Sequence, residues 1–367
     1  MVAHKPLAAT QIKAIPVPLG TEFSGPYADH LAVIAYRLMM RTSADVEYQR
    51  GFWISFSAAQ GRRLCGGLWD KVKKTAISEY GHIFEFNDHY SNFEGNTFPK
   101  SIRLTDRFRH GYSELYTLKR ARSKATALDD LDKVSTKLVS HFDKFHLDTH
   151  FPFFENPWQA FTYGRILNRD WYAGRCDFGR FHSNFTSFKH RDRIRHDKPL
   201  TALDIVACQP LILGALVARV YGLTPDVQEW LRLCAEEDLY TVLGQVMGLT
   251  DRAAIKLAFL TCIFEKRGNM LKMPEYAAIQ SAFPTIAKHL DIRKRDFKYQ
   301  AVAHDCQRLE SGLLIDKLVP KLGKIPVITI HDEIILPSQH VGKIRGIVDS
   351  LFRDEGMVPQ FKTKEIF

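Results

Sequence analysis

The chain has 367 residues, 45% of them apolar, enough to bury a sizeable core in two or three subdomains. A formal charge of +10 and a pI near 9.2 point to polyanionic partners, or at the least to an ordinary basic surface. No early window pairs a basic start with a continuous apolar run, and the six cysteines form no C-x-x-C pair. A signal peptide, a membrane span, a zinc ribbon and a disulfide framework are therefore not expected, and a reducing, cytoplasmic compartment is.

Residues 1–30, rich in Pro, Gly and Ala, read as an extended arm or a loose lead-in. The pattern then predicts a helix over 28–41, a strand at Gly51-Phe-Trp-Ile-Ser-Phe56 and a helix over 69–80. Between 80 and 98 aromatics crowd among Asn, Asp and Gly with no period, so this stretch reads as irregular. A basic tract follows, with Lys100, Arg103, Arg107, Arg109, Lys119, Arg120, Arg122 and Lys124 interleaved with Phe108, Tyr112 and Tyr116. Phosphates attract such charges and flat rings stack on unpaired bases; the alternative is a solvated basic face. A helix over 128–145 suits a thumb-like role, and the aromatic segment ending at Trp158 reads as a boundary.

Arg180, Lys189, Arg191, Arg193, Arg195 and Lys198 then crowd just ahead of an apolar strand, Leu200-Thr-Ala-Leu-Asp204, where a nucleic-acid backbone would lie. A helix over 210–221 starts at Pro210, and helices over 226–235 and 239–247 lead to a third whose N-terminus Gly248-Leu-Thr250-Asp251 caps. On that third helix Arg252, Lys256 and Phe264 share a face. Two cations a turn apart, with an aromatic two turns on, suit a triphosphate and its base; the alternative is an amphipathic helix with a solvated basic face. Long helices are expected over 275–291 and 298–320.

Two apolar runs, Ile325-Pro-Val-Ile-Thr-Ile330 and Ile334-Ile-Leu336, flank His331-Asp332-Glu333 and predict a buried hairpin with an imidazole and two carboxylates at its tip. An unpaired buried carboxylate is costly, so such a tip is a place to hold a metal; the alternative for this motif alone is a polar turn between two strands. Asp204 and Asp332, at the ends of separate strands, suit the pair of divalent cations that phosphoryl-transfer chemistry needs, and oxygen ligands favour magnesium over zinc. A helix over 338–355 and an alternating strand over 360–367 close the chain.

The order Asp204, then Arg252-x3-Lys256 with an aromatic eight residues after the lysine, then His331-Asp332-Glu333, resembles motifs A, B and C of the family A DNA polymerases, relatives of bacterial DNA polymerase I. The resemblance covers residues 170–367. It implies an α+β right-hand architecture, with an N-terminal accessory or thumb-like region (1–150), palm segments at 151–224 and 295–367, and fingers at 225–294. It further implies that Asp204, the Ile205 carbonyl and Asp332 hold two magnesium ions, with manganese as a substitute, and that His331 and Glu333 lie by the primer end. Arg252 and Lys256 would grip the triphosphate, and Phe264 would stack near the nascent pair. Gly179-Arg180-Phe-His-Ser-Asn184 resembles the primer–template strand, with Arg180 in the minor groove, and Gln307 matches a glutamine on the template side. The partners implied are a primer–template and nucleoside triphosphates, with no membrane.

The sequence departs from the family at three places. Gln209 stands where a glutamate usually gates against the ribose 2′-hydroxyl, Ile-Val-Ala-Cys replaces Tyr-Ser-Gln-Ile after Asp204, and the second motif lacks its Tyr-Gly ending. A primase-like or single-subunit RNA polymerase, a non-catalytic nucleic-acid-binding protein and a two-metal nuclease therefore stand as alternatives. No acid pattern of a proofreading exonuclease is evident.

Overall fold

The computed structural model describes residues 11–44, 46–87, 91–93, 96–98, 100–123, 131–148, 154 and 156–366. Lys124, the start of the lead-in, residues 128–130 and most of the aromatic boundary segment lie outside the described residues. The chain is mixed α+β with small antiparallel sheets. It divides into two compact units, Met1–Asp130 with Leu147–Ala173 and Ser183–Arg191, and Leu131–His146 with Gly174–His182 and Asp192–Phe367. The segments expected as palm and fingers after Asp192 thus share one unit, which also takes the helix expected to belong to the N-terminal region.

In the first unit the helix Ala28–Ala44 is the spine: Leu31, Ile34, Leu38 and Met39 recur at helical spacing and are at most 1% exposed. The lead-in is not loose, because Gln11–Pro18 forms an antiparallel ribbon with Ser113–Ser123. A two-stranded ribbon leaves one edge of each strand unpaired, so Pro16 and Pro18, which lack an N–H, are tolerated in it. Nor is the stretch from 80 to 98 irregular throughout. Phe84–Asn87 joins Ser101–Leu104 and Ile54–Ser55 in one sheet, and Ser91–Phe93 pairs with Asn96–Phe98. Strands of two to four residues are too short to show a period.

Much of the basic tract is used internally. Arg103 pairs with Glu85 and donates to the Gly51 carbonyl (2.6 Å), while Arg109 pairs with Asp106 and donates to the Leu104 carbonyl (3.0 Å). Phe108 is buried, and the Tyr116 hydroxyl donates to Asp29 (3.2 Å). These groups therefore hold the unit together, and exposed Tyr112 is what remains of the expected aromatic face.

The second unit is built on a four-stranded antiparallel sheet in the order Ile328–Ile330, Glu333–Pro337, Leu200–Val206, Gln360–Ile366. The helix Cys208–Tyr221 follows the strand Leu200–Val206, and Trp230 of the helix Pro225–Glu236 packs against it and donates from Nε1 to the Pro210 carbonyl (2.9 Å). Gly214 permits this approach, since a Cβ there would meet the indole at 2.7 Å. The helix expected over 275–291 is two, Pro274–Ala282 and Pro284–Asp296, broken where Pro284 supplies no N–H. The Thr285 amide is taken instead by the Asp226 carboxylate (2.7 Å).

The helix Ala301–Ser311 runs on into a π-helical turn, Gly312–Lys317, a form often found at functional sites. The helix Lys133–Phe142 docks on this unit: Arg175 bridges Asp132 (3.2 Å) and Asp316 (2.6 Å), and His141 Nδ1 accepts from the Val327 amide (3.2 Å). No described helix is long and apolar enough to cross a membrane.

Candidate active site

The strand Leu200–Val206 is buried up to Leu203, and its one charged residue, Asp204, is half-buried. Glu333 is its cross-strand neighbour, and Glu333 also pairs with Ile330, so the hairpin turn is only His331 and Asp332. The Ile205 amide donates to the Asp332 carbonyl (3.4 Å). Residues facing one another in an antiparallel pair sit about 5 Å apart at Cα. Sheet register therefore brings Asp204 and Asp332 side by side from distant parts of the chain.

The backbone around them is strained. Ala207, just after the strand, has φ +50° and His331 has φ +57°; with Arg169 of the first unit they are the described non-glycine residues in the left-handed region. Such conformations cost about 1–3 kcal/mol each and gather at functional sites. Here they turn the chain sharply beside each acid.

Asp332 makes itself felt on three elements. The Cys208 thiol, the Tyr240 hydroxyl and the Glu310 carboxyl all have raised pKa values, chiefly through burial, and the negative charge of Asp332 adds to each. Tyr240 in turn lies under the guanidinium of Arg252, 5.1 Å from its ring centroid. Arg252 opens the helix Arg252–Phe264, which Asp251 caps by accepting from the Ala253 (3.3 Å) and Ala254 (3.0 Å) amides. Tyr240 thus stands between the acid turn and the cationic helix. Arg252 is paired with Asp238 (3.0 Å), Lys256 is exposed, and Phe264 is 43% exposed.

A second polar group lies beside the turn. Arg180 grips Glu310 in a bidentate pair, both contacts 2.9 Å, although Glu310 is only 2% exposed. Gln209 donates from Nε2 to the same carboxylate. A buried charge held by a fork of donors and a neutral amide is well satisfied, whereas removal of one partner would leave the other stranded. Arg180 and Glu310 line a small cleft with Phe181, Ser311, Leu314, Ile315, Thr329 and His331. The His182 ring meets the His331 ring edge-on at 5.9 Å, and burial followed by the charge of Arg180 lowers the His182 pKa.

The remaining expected contacts are dispersed. Asn184 belongs to the first unit and is buried, with its amide spent on the Tyr172 amide (2.6 Å) and the Asp170 carbonyl (3.1 Å). It is a structural residue, not an exposed contact to nucleic acid. Lys189, exposed, and Arg191 are in the first unit, while Arg193 and Arg195 are in the second. Arg195 donates to the Asp192 (2.6 Å) and Ile194 (3.1 Å) carbonyls. Gln307 is half-buried, and the group that reaches Arg180 is Glu310, three residues further along the helix.

Glu310, Ser311 and Thr329 are the site residues that sequence reasoning missed. A signal existed: Glu310 stands just ahead of the apolar run Leu313-Leu314-Ile315 on the same helix, and an acid carried into a core by such a run has to find a buried partner.

Among the described residues no three or more His, Cys, Asp or Glu side chains gather as a metal cage. Magnesium asks for less, since it is commonly held by one or two carboxylates and completes its shell with water and substrate phosphates. Asp204 and Asp332, set side by side by the sheet, are hard-oxygen donors of the type such an ion takes. No family model matches the chain, and no curated protein matches it.

Proposed function

We propose that the second unit is a template-directed nucleotidyltransferase that extends a primer 3′-hydroxyl with nucleoside triphosphates, as a divergent relative of the family A DNA polymerases. The observation that carries this reading is the pairing of Asp204 with Glu333 across the sheet, which sets Asp332 beside Asp204 at a strained turn.

Asp204, Asp332 and the Ile205 carbonyl would hold a pair of magnesium ions, whose charge favours the ionised primer hydroxyl and the leaving pyrophosphate. Arg252 and Lys256, one turn apart on the helix Arg252–Phe264, offset the charge that grows on the β and γ phosphates. To do so Arg252 exchanges Asp238 for phosphate. Phe264, at the end of the same helix and partly exposed, offers a face for the incoming base. Arg180, fixed by Glu310, presents its remaining N–H donors to the primer–template.

Primer extension by the full chain and by Asp332→Asn tests the reading, because the amide keeps the shape and loses the ligand charge. Equal rates would remove the site. One observation favours ribonucleotide use as a second reading: residue 209 is a neutral amide tied to Glu310. Offering deoxy- and ribonucleotides separately decides between the two.

A further inference from the structure

Two hydroxyls in the cleft beside the acid turn have nothing to bond. Ser311 is 3% exposed and Thr329 2% exposed, and neither Ser311 Oγ nor Thr329 Oγ1 has a hydrogen-bond partner among the described residues. Buried polar groups are nearly always paired, and one left unmet costs about 1–3 kcal/mol. Two such groups lining one cleft point to a polar guest.

The position of the cleft narrows the choice. Its lining includes His331, the residue before Asp332, while Ser311 follows directly on Glu310. Gly179, just before Arg180, passes close to Ser311, so that a Cβ on it would lie 3.3 Å from Ser311 Cβ. The cleft is therefore closed in by the same segments that flank the acid pair. A nucleic-acid 3′-hydroxyl brought to Asp332 carries its sugar with it, and the 2′ carbon is the immediate neighbour of the reacting carbon. A 2′-hydroxyl both donates and accepts, which matches two hydroxyls that need a partner of either kind.

We infer that the cleft bounded by Arg180, Glu310, Ser311, Thr329 and His331 receives the ribose 2′-hydroxyl of the primer's terminal nucleotide, so that the protein prefers a primer ending in RNA. This rests on the primer-extension reading above. Glu310 keeps the cleft open by holding Arg180 and Gln209 to its side, and Ser311 and Thr329 supply the hydrogen bonds. A DNA terminus leaves those two hydroxyls unmet.

The experiment compares two primers identical except that the last nucleotide is ribo or deoxyribo, both with a free 3′-hydroxyl. Binding by fluorescence anisotropy and extension are measured for the wild-type chain, Ser311→Ala and Thr329→Val, with thermal melts to establish folding. A preference of roughly tenfold for the ribo terminus is expected in the primer Kd and KM. Each substitution should shrink that preference toward one, by weakening the ribo primer more than the deoxy primer. Equal binding of the two primers by wild type would overturn the inference and leave the hydroxyls to water. A preference that survives both substitutions would overturn it as well. Ribo-selective binding without any extension, by contrast, would sink the polymerase reading and leave the cleft assignment standing.

Discussion

His141 offers a quantitative test of how the hairpin is supported. Its ring is buried, and Nδ1 accepts from the amide of Val327, the residue just before the strand that leads into the His331-Asp332 turn. An accepting Nδ1 requires the neutral ring, and protonation would set N–H against N–H. Burial, and then the charge of Lys137, lowers its pKa from 6.5 to about 4. Between those values the unfolded chain binds a proton that the folded chain refuses. Stability is therefore complete above pH 6.5 and falls as the pH drops toward 4, by at most about 3 kcal/mol for this one group. His289, lowered to about 4 by burial and then by Arg293, adds a similar fall in the same window.

The substitution His141→Gln keeps a carbonyl that can accept from Val327 and removes the titration. Urea unfolding at pH 7 and pH 4.5, followed by pulsed hydrogen exchange in the peptide spanning 325–337, measures the difference. The wild type should lose about 2–3 kcal/mol more than the variant across that interval. An identical loss in the two proteins would refute the assignment of a buried neutral imidazole beneath the hairpin.

Three further outcomes are expected. Asp238→Asn keeps the cap on the Tyr240 amide (3.1 Å) but releases Arg252, so the triphosphate KM should fall about 2–5-fold with kcat unchanged; a KM that stays put or rises contradicts the exchange of Asp238 for phosphate. Ala207→Gly relieves a left-handed backbone and should stabilise the second unit by up to about 1 kcal/mol in urea titrations, whereas a loss would show that Ala207 carries no strain. Asn184→Ala strands two backbone groups and should cost the first unit about 2–4 kcal/mol while leaving nucleic-acid affinity intact below its melting temperature; weakened binding by the folded variant would restore Asn184 as a contact.

What the sequence determined by itself was the local grammar. The Arg252–Phe264 helix with its Asp251 cap, the hairpin around His331-Asp332 and the closing strand are legible because their signals lie within a few residues: a capping carboxylate, an apolar run on either side of a polar pair, an alternation. The strand Phe84–Asn87 and the ribbon Gln11–Pro18 were not, because what makes them strands is a partner well outside the local window. The same holds for charge. Arg103, Arg109 and Asn184 look like surface contacts to nucleic acid in the sequence, and only the fold reveals the carboxylates and backbone groups that absorb them.

Tertiary structure alone decided the site's composition. It is cross-strand register that puts Asp204 opposite Glu333, and packing of the Ala301–Ser311 helix against the helix Cys208–Tyr221 that makes Glu310, not Gln307, the partner of Arg180. A buried carboxylate has to find its cation wherever the folded chain supplies one, and the residue numbers of the two carry no trace of the meeting.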